Sequence, residues 1–426
     1  MAQSQSARLQ AHLRFGKCRP MTIVMNEPTH AAEFNAWRAH KVVLVSDAQA
    51  IGSVAVIRSL GRAGYRVLAC STSEDALGLL SRYCSVPLVQ PQQPAEFFDW
   101  LKRVVAQYHV GLIIPSEGFL LRLRPNLKHF QALLPIPGNE ALAFAGLSKF
   151  DLFKLCAEHG LTDALPPYLL LEDTKVLPDA AQLDAMGSPL FVKVDAVCSI
   201  AGQGSQVFRC NDGHEALQRL RSLCGKYTKI LVQAFVPGVG VGAFLARWNG
   251  QEIGAFMHRR LHEVPHTGGF SSYRESWRDA RILEDARRRM QCLTWQGVAM
   301  FEYRWNPVDD KFYLLEFNSR FWGSLHLALF AGVDFPLAMA DAFFGRMPAV
   351  PAGYRDVRSR LTFPAEVGHL LSRVRDSSLT ISERIGTFLV FIGLGLNPRV
   401  HSDLWFPGDR SLYWRAMYRS LHNLLR

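Results

Sequence analysis

The residues best able to do chemistry lie between Gly297 and Gly323. Two runs with strand character, Val298 to Trp305 and Phe312 to Phe317, flank Asn306-Pro-Val-Asp-Asp310, a turn-rich linker, so the stretch reads as a hairpin. If it closes symmetrically about Asp309, Glu302 stands directly across from Glu316. Cross-strand partners project from one face a few ångströms apart, and two like charges there are destabilising unless something positive sits between them. Alternation puts Glu316, Asn318 and Arg320 on that face and turns Leu315 and Phe317 towards the core. Two carboxylates and an amide oxygen form a hard, oxygen-only set. It suits Mg²⁺, with Mn²⁺ as the substitute, keeping water and substrate phosphate as further ligands, and does not suit zinc or copper. The competing reading is a surface ion-pair ladder in which Arg304 and Arg320 neutralise the glutamates.

A phosphate-binding side is readable upstream. Lys193 interrupts the apolar strand Pro189-Leu-Phe-Val-Lys-Val-Asp195, where a lysine either snorkels from an edge or holds a buried anion. The run that follows, Ala196 to Ser205, is mostly small residues with Gly202 and Gly204, and could fold its backbone N–H groups over phosphates. Lys229 to Gly238 is a strand ending in a Pro-Gly turn, which leaves backbone groups free to pair with a planar base. Arg259 and Arg260 precede His266-Thr-Gly-Gly269 and could meet a substrate carboxylate or a γ-phosphate, and Glu263 could orient substrate or pair with Arg260. His258, His262, His266 and His326 read as packed or surface residues, and no Ser/His/Asp or Cys/His arrangement is needed for this chemistry.

This order and spacing resembles the ATP-grasp family, most of all its biotin-carboxylase and carbamoyl-phosphate-synthase branch, from Lys41 to Phe344. The most specific elements are Gly297-Val-Ala-Met-Phe-Glu302, Leu315-Glu-Phe-Asn-Ser-Arg320 and Gly332-Val-Asp-Phe-Pro336. The resemblance implies that Glu302, Glu316 and Asn318 bind Mg²⁺ bridging the ATP phosphates. Arg320 would stabilise the acyl phosphate or oxyanion, with Arg260 as the second catalytic cation. Lys193 would contact the α/β-phosphates under the Gly202 and Gly204 loop, and Lys149, in Leu147-Ser-Lys-Phe150, would be the earlier phosphate-contacting lysine. Gln233 to Val236 would be the inter-lobe hinge, with main chain at Ala234 and Val236 recognising adenine; the family often has Glu at the Ala234 position. The implied reaction activates a small-molecule carboxylate as an acyl phosphate for attack by an amine, less often a thiol, giving ADP and phosphate. A nucleotide-holding scaffold without ligation and a phosphotransferase are the alternatives. Trp322 and the tail after Pro351 depart from the pattern.

The elements that must position these residues follow from composition and periodicity. A chain of 426 residues, 49% apolar and 20% charged, is packed globular protein of two to three domains. Disorder, collagen and coiled coil are excluded as its main character. The expected fold class is α/β, with α+β character in the ATP-binding part. Residues 1–40 read as a loose leader, 41–135 as a Rossmann-like pre-ATP-grasp domain, 136–348 as the two-lobed ATP-grasp domain hinged near 233–238, and 349–426 as a helical extension. In the pre-ATP-grasp part, the strand Val42 to Val45, the helix from Ile51, the Gly64 turn and the strands Arg66 to Cys70 and Leu112 to Ile114 alternate as βαβ units do. The first turn, Ser46 to Gly52, has one glycine where a dinucleotide fingerprint needs three, which excludes NAD.

The net charge of +11 favours anionic partners. No aromatic-interleaved basic stripe points to nucleic acid. Eight scattered cysteines, no apolar signal region and no apolar run near the ~20 residues of a bilayer crossing predict a reduced, cytoplasmic, soluble chain. The apolar run Ile385 to Leu396 is expected to be buried against the ligase core rather than to touch a membrane surface, and the tail to shape the acceptor pocket. Homodimer and monomer both stay open.

Overall fold

The computed structural model describes residues 27–265 and 269–425; most of the expected leader, and His266 to Gly268, lie outside the described residues. Strands β1 (Val42–Val45), β2 (Arg66–Ser71), β3 (Val86–Val89) and β4 (Leu112–Ile114) form a parallel sheet in the order β3-β2-β1-β4. All four β1 side chains are buried, as strands covered on both faces require. Because the chain runs from β1 to β2 and β3 on one side and then crosses back to place β4 on the other, the strand order reverses at β1, opening a crevice at the carboxyl ends of β1 and β4. The edge strand Val-Pro-Leu-Val of β3 carries a proline, which masks it in a sequence reading but is tolerated at an edge.

Strands β5 (Tyr168–Leu171), β6 (Leu190–Val194), β7 (Gln206–Cys210) and β8 (Ile230–Ala234) form an antiparallel sheet ordered β5-β8-β6-β7. The largest sheet contains β9 (Val239–Trp248), β10 (Gln251–Val264), β11 (Phe270–Ser276), β12 (Gly297–Asn306), β13 (Lys311–Asn318), β14 (Arg358–Arg360) and β15 (Val400–Ser402), in the order β13-β12-β9-β10-β11-β14-β15. Alternation along β9 sends Val241, Ala243 and Leu245 to one core, shared with the helix Ala280–Cys292, and Phe244 and Ala246 to another, shared with the first sheet. The fold is thus mixed α/β, with a parallel sheet, a large antiparallel sheet and a helical C-terminal segment.

Four expectations need correction. Residues 27–39 form a helix, Glu27–Ala39, inside the expected leader: Trp37 packs edge-on against Phe344 at 6.4 Å, and Arg38 Nε donates to Asp341 at 3.0 Å. The tail is not purely helical, since β14 and β15 extend the large sheet and pair in parallel with each other. Its helix Ile381–Leu396 has no buried residue, so the apolar run does not pack into the core. The fourth correction concerns the hairpin. Near its turn, Asn306 pairs with Lys311 and Tyr303 with Leu314, one residue off symmetry about Asp309. A bulge at Leu315 restores the offset, so Glu302 does face Glu316. The same bulge puts Leu314, not Leu315, in the core beside Phe317, and Leu315 lines a cleft.

The tail is anchored by a buried polar network. Fully buried Arg58, on the helix Ile51–Arg62, donates to Asp409 Oδ2 (2.9 Å) and to the carbonyls of Asp403 (2.9 Å) and Leu404 (3.2 Å). Arg274 of β11 pairs with Asp403. Among the described residues no single helix is long and apolar enough to cross a membrane; the bent pair Leu325–Ala331 and Phe335–Phe343, 90° apart, matches in length and composition, but most of its residues are buried in the core.

Candidate active site

The second and third sheets enclose a cleft of about 660 Å³ whose walls include Lys149, Lys193, Gln233, Val236, Arg260, Glu302 and Glu316. Each is delivered by a separate piece of local structure. Lys149 opens the helix Lys149–Glu158, whose N-cap Ser148 accepts from the Asp151 N–H. Asp195 grips Lys149 at both ends, accepting from its backbone N–H at 2.7 Å and from Nζ at 3.0 Å, while Nζ lies 3.5 Å from Glu316. Lys193 and Phe191 share a face of β6, and Lys193 Nζ donates to Gln233 of the neighbouring β8 at 2.6 Å.

Both glutamates have a cation. Arg260 reaches across β9 to pair with Glu302, and its other amine lies 3.2 Å from Glu263. Gly240 makes that crossing available: a Cβ there would stand 2.8 Å from Arg260 Cδ and 3.0 Å from Glu263 Oε1. Lys149 serves Glu316, whose other oxygen accepts from Asn318 Nδ2 at 2.8 Å. The ladder through Arg304 and Arg320 does not form: Arg304 lies 3.5 Å from Glu263 and Arg320 lies 3.6 Å from Glu117.

The facing pair is electrostatically split. Burial and the Glu316 charge raise the Glu302 pKa against the pull of Arg260. Burial also opposes ionisation of Glu316, but Lys149, the Asn318 amide and Lys193 outweigh it and hold that carboxyl down at about 2. Burial lowers the Lys193 pKa to about 8. For Lys149, burial is overcome by Glu316 and Asp195, which raise its pKa. The facing carboxylates are a hard-oxygen pair that fits Mg²⁺ or Mn²⁺, and the Asn318 amide, which here donates through Nδ2 to Glu316, would have to turn its oxygen inward to join them. Among the described residues no group of three or more His, Cys, Asp or Glu side chains could hold a metal, so substrate oxygens would have to complete its shell.

Arg320 stands apart from the cleft. It lines a crevice of about 350 Å³ at the carboxyl ends of β1 and β4, with Asp47, Ser116, Glu117 and Gly323. Gly202 and Gly204 are exposed and form no part of the cleft wall, and Ala234 is buried in β8 with its N–H donated to Pro167 O at 2.9 Å. A third cavity, about 510 Å³, lies between β10 and the tail; Arg260 and Arg304 line both it and the cleft, and His369, Arg373 and Thr387 supply its tail side. His258 is fully buried against Phe244, and burial holds its pKa well below the usual imidazole value.

Two aromatic wall residues and one supporting carboxylate stand outside the sequence-predicted site. Phe191 and Phe235 stack at 6.4 Å, and Phe191 was legible as the strand partner of Lys193 at spacing two. Asp195 closes the same strand motif, but its hold on Lys149 is a tertiary contact that no local pattern reveals.

No family model matches the sequence, and no curated protein matches it. Solved structures do. The chain aligns with L-amino acid ligase from Bacillus licheniformis at 16% identity and a TM-score of 0.53, covering 71% of this chain and 74% of that one. It aligns with the ADP complex of N5-carboxyaminoimidazole ribonucleotide synthetase at 15% identity and a TM-score of 0.58, covering 78% and 84%. Biotin carboxylase from Campylobacter jejuni, in its β,γ-ATP complex, aligns at 16% identity and a TM-score of 0.55, covering 73% and 72%. Likeness at this identity concerns architecture, and the architecture is the ATP-grasp fold.

Proposed function

We propose that the protein is an ATP-dependent ligase that activates a carboxylate as an acyl phosphate and passes it to an amine. The observation that carries this reading is the facing Glu302 and Glu316 pair in a cleft shared with Lys149 and Lys193. In this reading residues 41–135 are the pre-ATP-grasp domain, 136–348 the two-lobed ATP-grasp domain and 349–426 the extension.

Adenine lies against Phe191 and Phe235, hydrogen-bonded by main chain at Ala234 and Val236, and Lys149 and Lys193 hold the α/β-phosphates; the exposed Gly202 and Gly204 loop, outside the cleft wall, would have to move to cover them. Glu302, Glu316 and Asn318 would hold Mg²⁺, which would supply charge neutralisation at the phosphates. The carboxylate substrate sits in the Arg320 crevice, where the guanidinium orients it and stabilises negative charge. Its oxygen attacks the γ-phosphorus as the bond to the β-phosphate oxygen breaks and ADP leaves. The amine then attacks the acyl carbon, phosphate departs, and the amine proton is lost. Positioning and charge neutralisation suffice, as phosphoryl transfer needs no protein nucleophile. Arg260 and Arg304 join the cleft to the tail cavity, which supports the tail as the part that selects the amine. The seven described cysteines are unpaired, in keeping with a cytoplasmic enzyme.

The test is thermal stability against ATP, with and without Mg²⁺, for wild type and Glu316→Gln. At about a hundred times its Kd a ligand adds roughly 2.7 kcal/mol. Synergy between ATP and Mg²⁺ in the wild type, lost in the variant, is the expected result. Absence of ATP stabilisation in the wild type would sink the reading. ADP release on a non-carboxylate acceptor, with no amine needed, would make the protein a phosphotransferase instead.

A further inference from the structure

We infer that the tail helix Ile381–Leu396 docks the protein on an anionic phospholipid membrane, independently of the proposed ligase activity. The helix is built inside out. Its outward stripe is Ile381, Ile385, Phe388, Leu389, Ile392 and Leu396, positions that share one helical face, with Leu389 63% and Leu396 79% exposed. Its inward side, which also carries the half-buried Phe391 and Leu394, is held by polar contacts. The Thr387 hydroxyl accepts from Arg373 Nε at 3.0 Å, the Phe391 carbonyl accepts from Arg360 at 3.1 Å, and Arg384 donates to the Asp376 carbonyl at 2.8 Å. A helix packed onto its own domain places its apolar residues the other way round.

The segment is nevertheless well formed, since Thr380 and Glu383 close a capping box at its start. Sixteen residues reach about 24 Å, short of the ~30 Å hydrocarbon core, so the helix lies in the interface rather than crossing.

The surrounding charge chooses the occupant. From Pro351 onward the chain has eleven arginines, no lysine and six acidic residues. Arg375, Arg399 and Arg415 are exposed and in no ion pair among the described residues. Trp405, Trp414 and Tyr418, residue types that favour the lipid headgroup region, are exposed on the same tail. A second copy docking stripe to stripe about a two-fold axis would bring the charges of Arg375 and Arg399, which flank the helix in sequence, towards their counterparts in that copy. Anionic headgroups satisfy the arginines while the acyl region takes the stripe.

The experiment is vesicle flotation of the full chain with phosphatidylcholine alone and with phosphatidylcholine mixed with phosphatidylglycerol. The expected result is flotation with the mixed vesicles, weakened by salt, and a loss of affinity of at least about tenfold in Phe388→Glu. Val308→Glu, which charges the exposed hairpin turn instead, should float as the wild type does. No wild-type flotation, equal flotation with both compositions, or unchanged flotation of Phe388→Glu would each overturn the inference. A solution dimer that Phe388→Glu dissociates, without flotation, would give the stripe to a second copy and overturn it too.

Discussion

Lys193 sits in the wall of the proposed ATP cleft with its ammonium on the Gln233 amide oxygen and no carboxylate that close. Burial brings its pKa from 10.5 to about 8, so between those values the unfolded chain holds more protons than the folded one. Stability therefore rises with pH across that window, and the cost of burying the charge stands in full below it. The relief amounts to at most about 3 kcal/mol. Lys193→Met is expected to abolish this rise, to melt higher than wild type at neutral pH without ATP, and to bind ATP about 10 to 100 times more weakly. Urea melts from pH 7 to 10 with an ATP titration read all three; a rise that persists in the variant would assign it to another group. Gly240→Ala tests the neighbouring contact. Its Cβ would collide with Arg260 and Glu263, so a loss of about 1–3 kcal/mol in a denaturant melt is expected.

The hairpin shows at the level of elements what sequence can and cannot reveal. Strand alternation and the Asn306 to Asp310 turn were enough to anticipate the Glu302 and Glu316 pair, yet the counted symmetry was off by one at the turn. The bulge at Leu315 supplied the missing residue, and it is invisible locally because register is a property of two strands. The helix Glu27–Ala39 was missed for a related reason: its anchors, Trp37 on Phe344 and Arg38 on Asp341, are distant in sequence. The apolar run Ile385 to Leu396 was assigned to the core because composition alone does not say which side of a helix meets the rest of the molecule. Tail anchorage makes a prediction of its own. Arg58→Ala leaves Asp409 buried without its cation and is expected to cost about 3–5 kcal/mol by urea melt. Truncation at Pro351 strands Arg58 and Arg274 together, and the product should lose its cooperative thermal transition.

Across the whole molecule, the inter-sheet cleft and the tail cavity adjoin through Arg260 and Arg304, while the Arg320 crevice opens separately on the first sheet. The net charge of +11 surrounds these cavities with a field that draws anions. ATP association measured by stopped flow should slow as salt rises towards ~0.15 M, where the screening length is about 8 Å, while dissociation changes little. Each guanidinium shared by the cleft and the tail cavity can satisfy only so many anions at once. An amine substrate carrying an anionic group that drew Arg260 off Glu302 from the tail cavity would alter the charge facing the phosphates. Thermodynamic reciprocity would then require ATP to change that substrate's affinity by the same factor, coupling the two cavities heterotropically through one side chain.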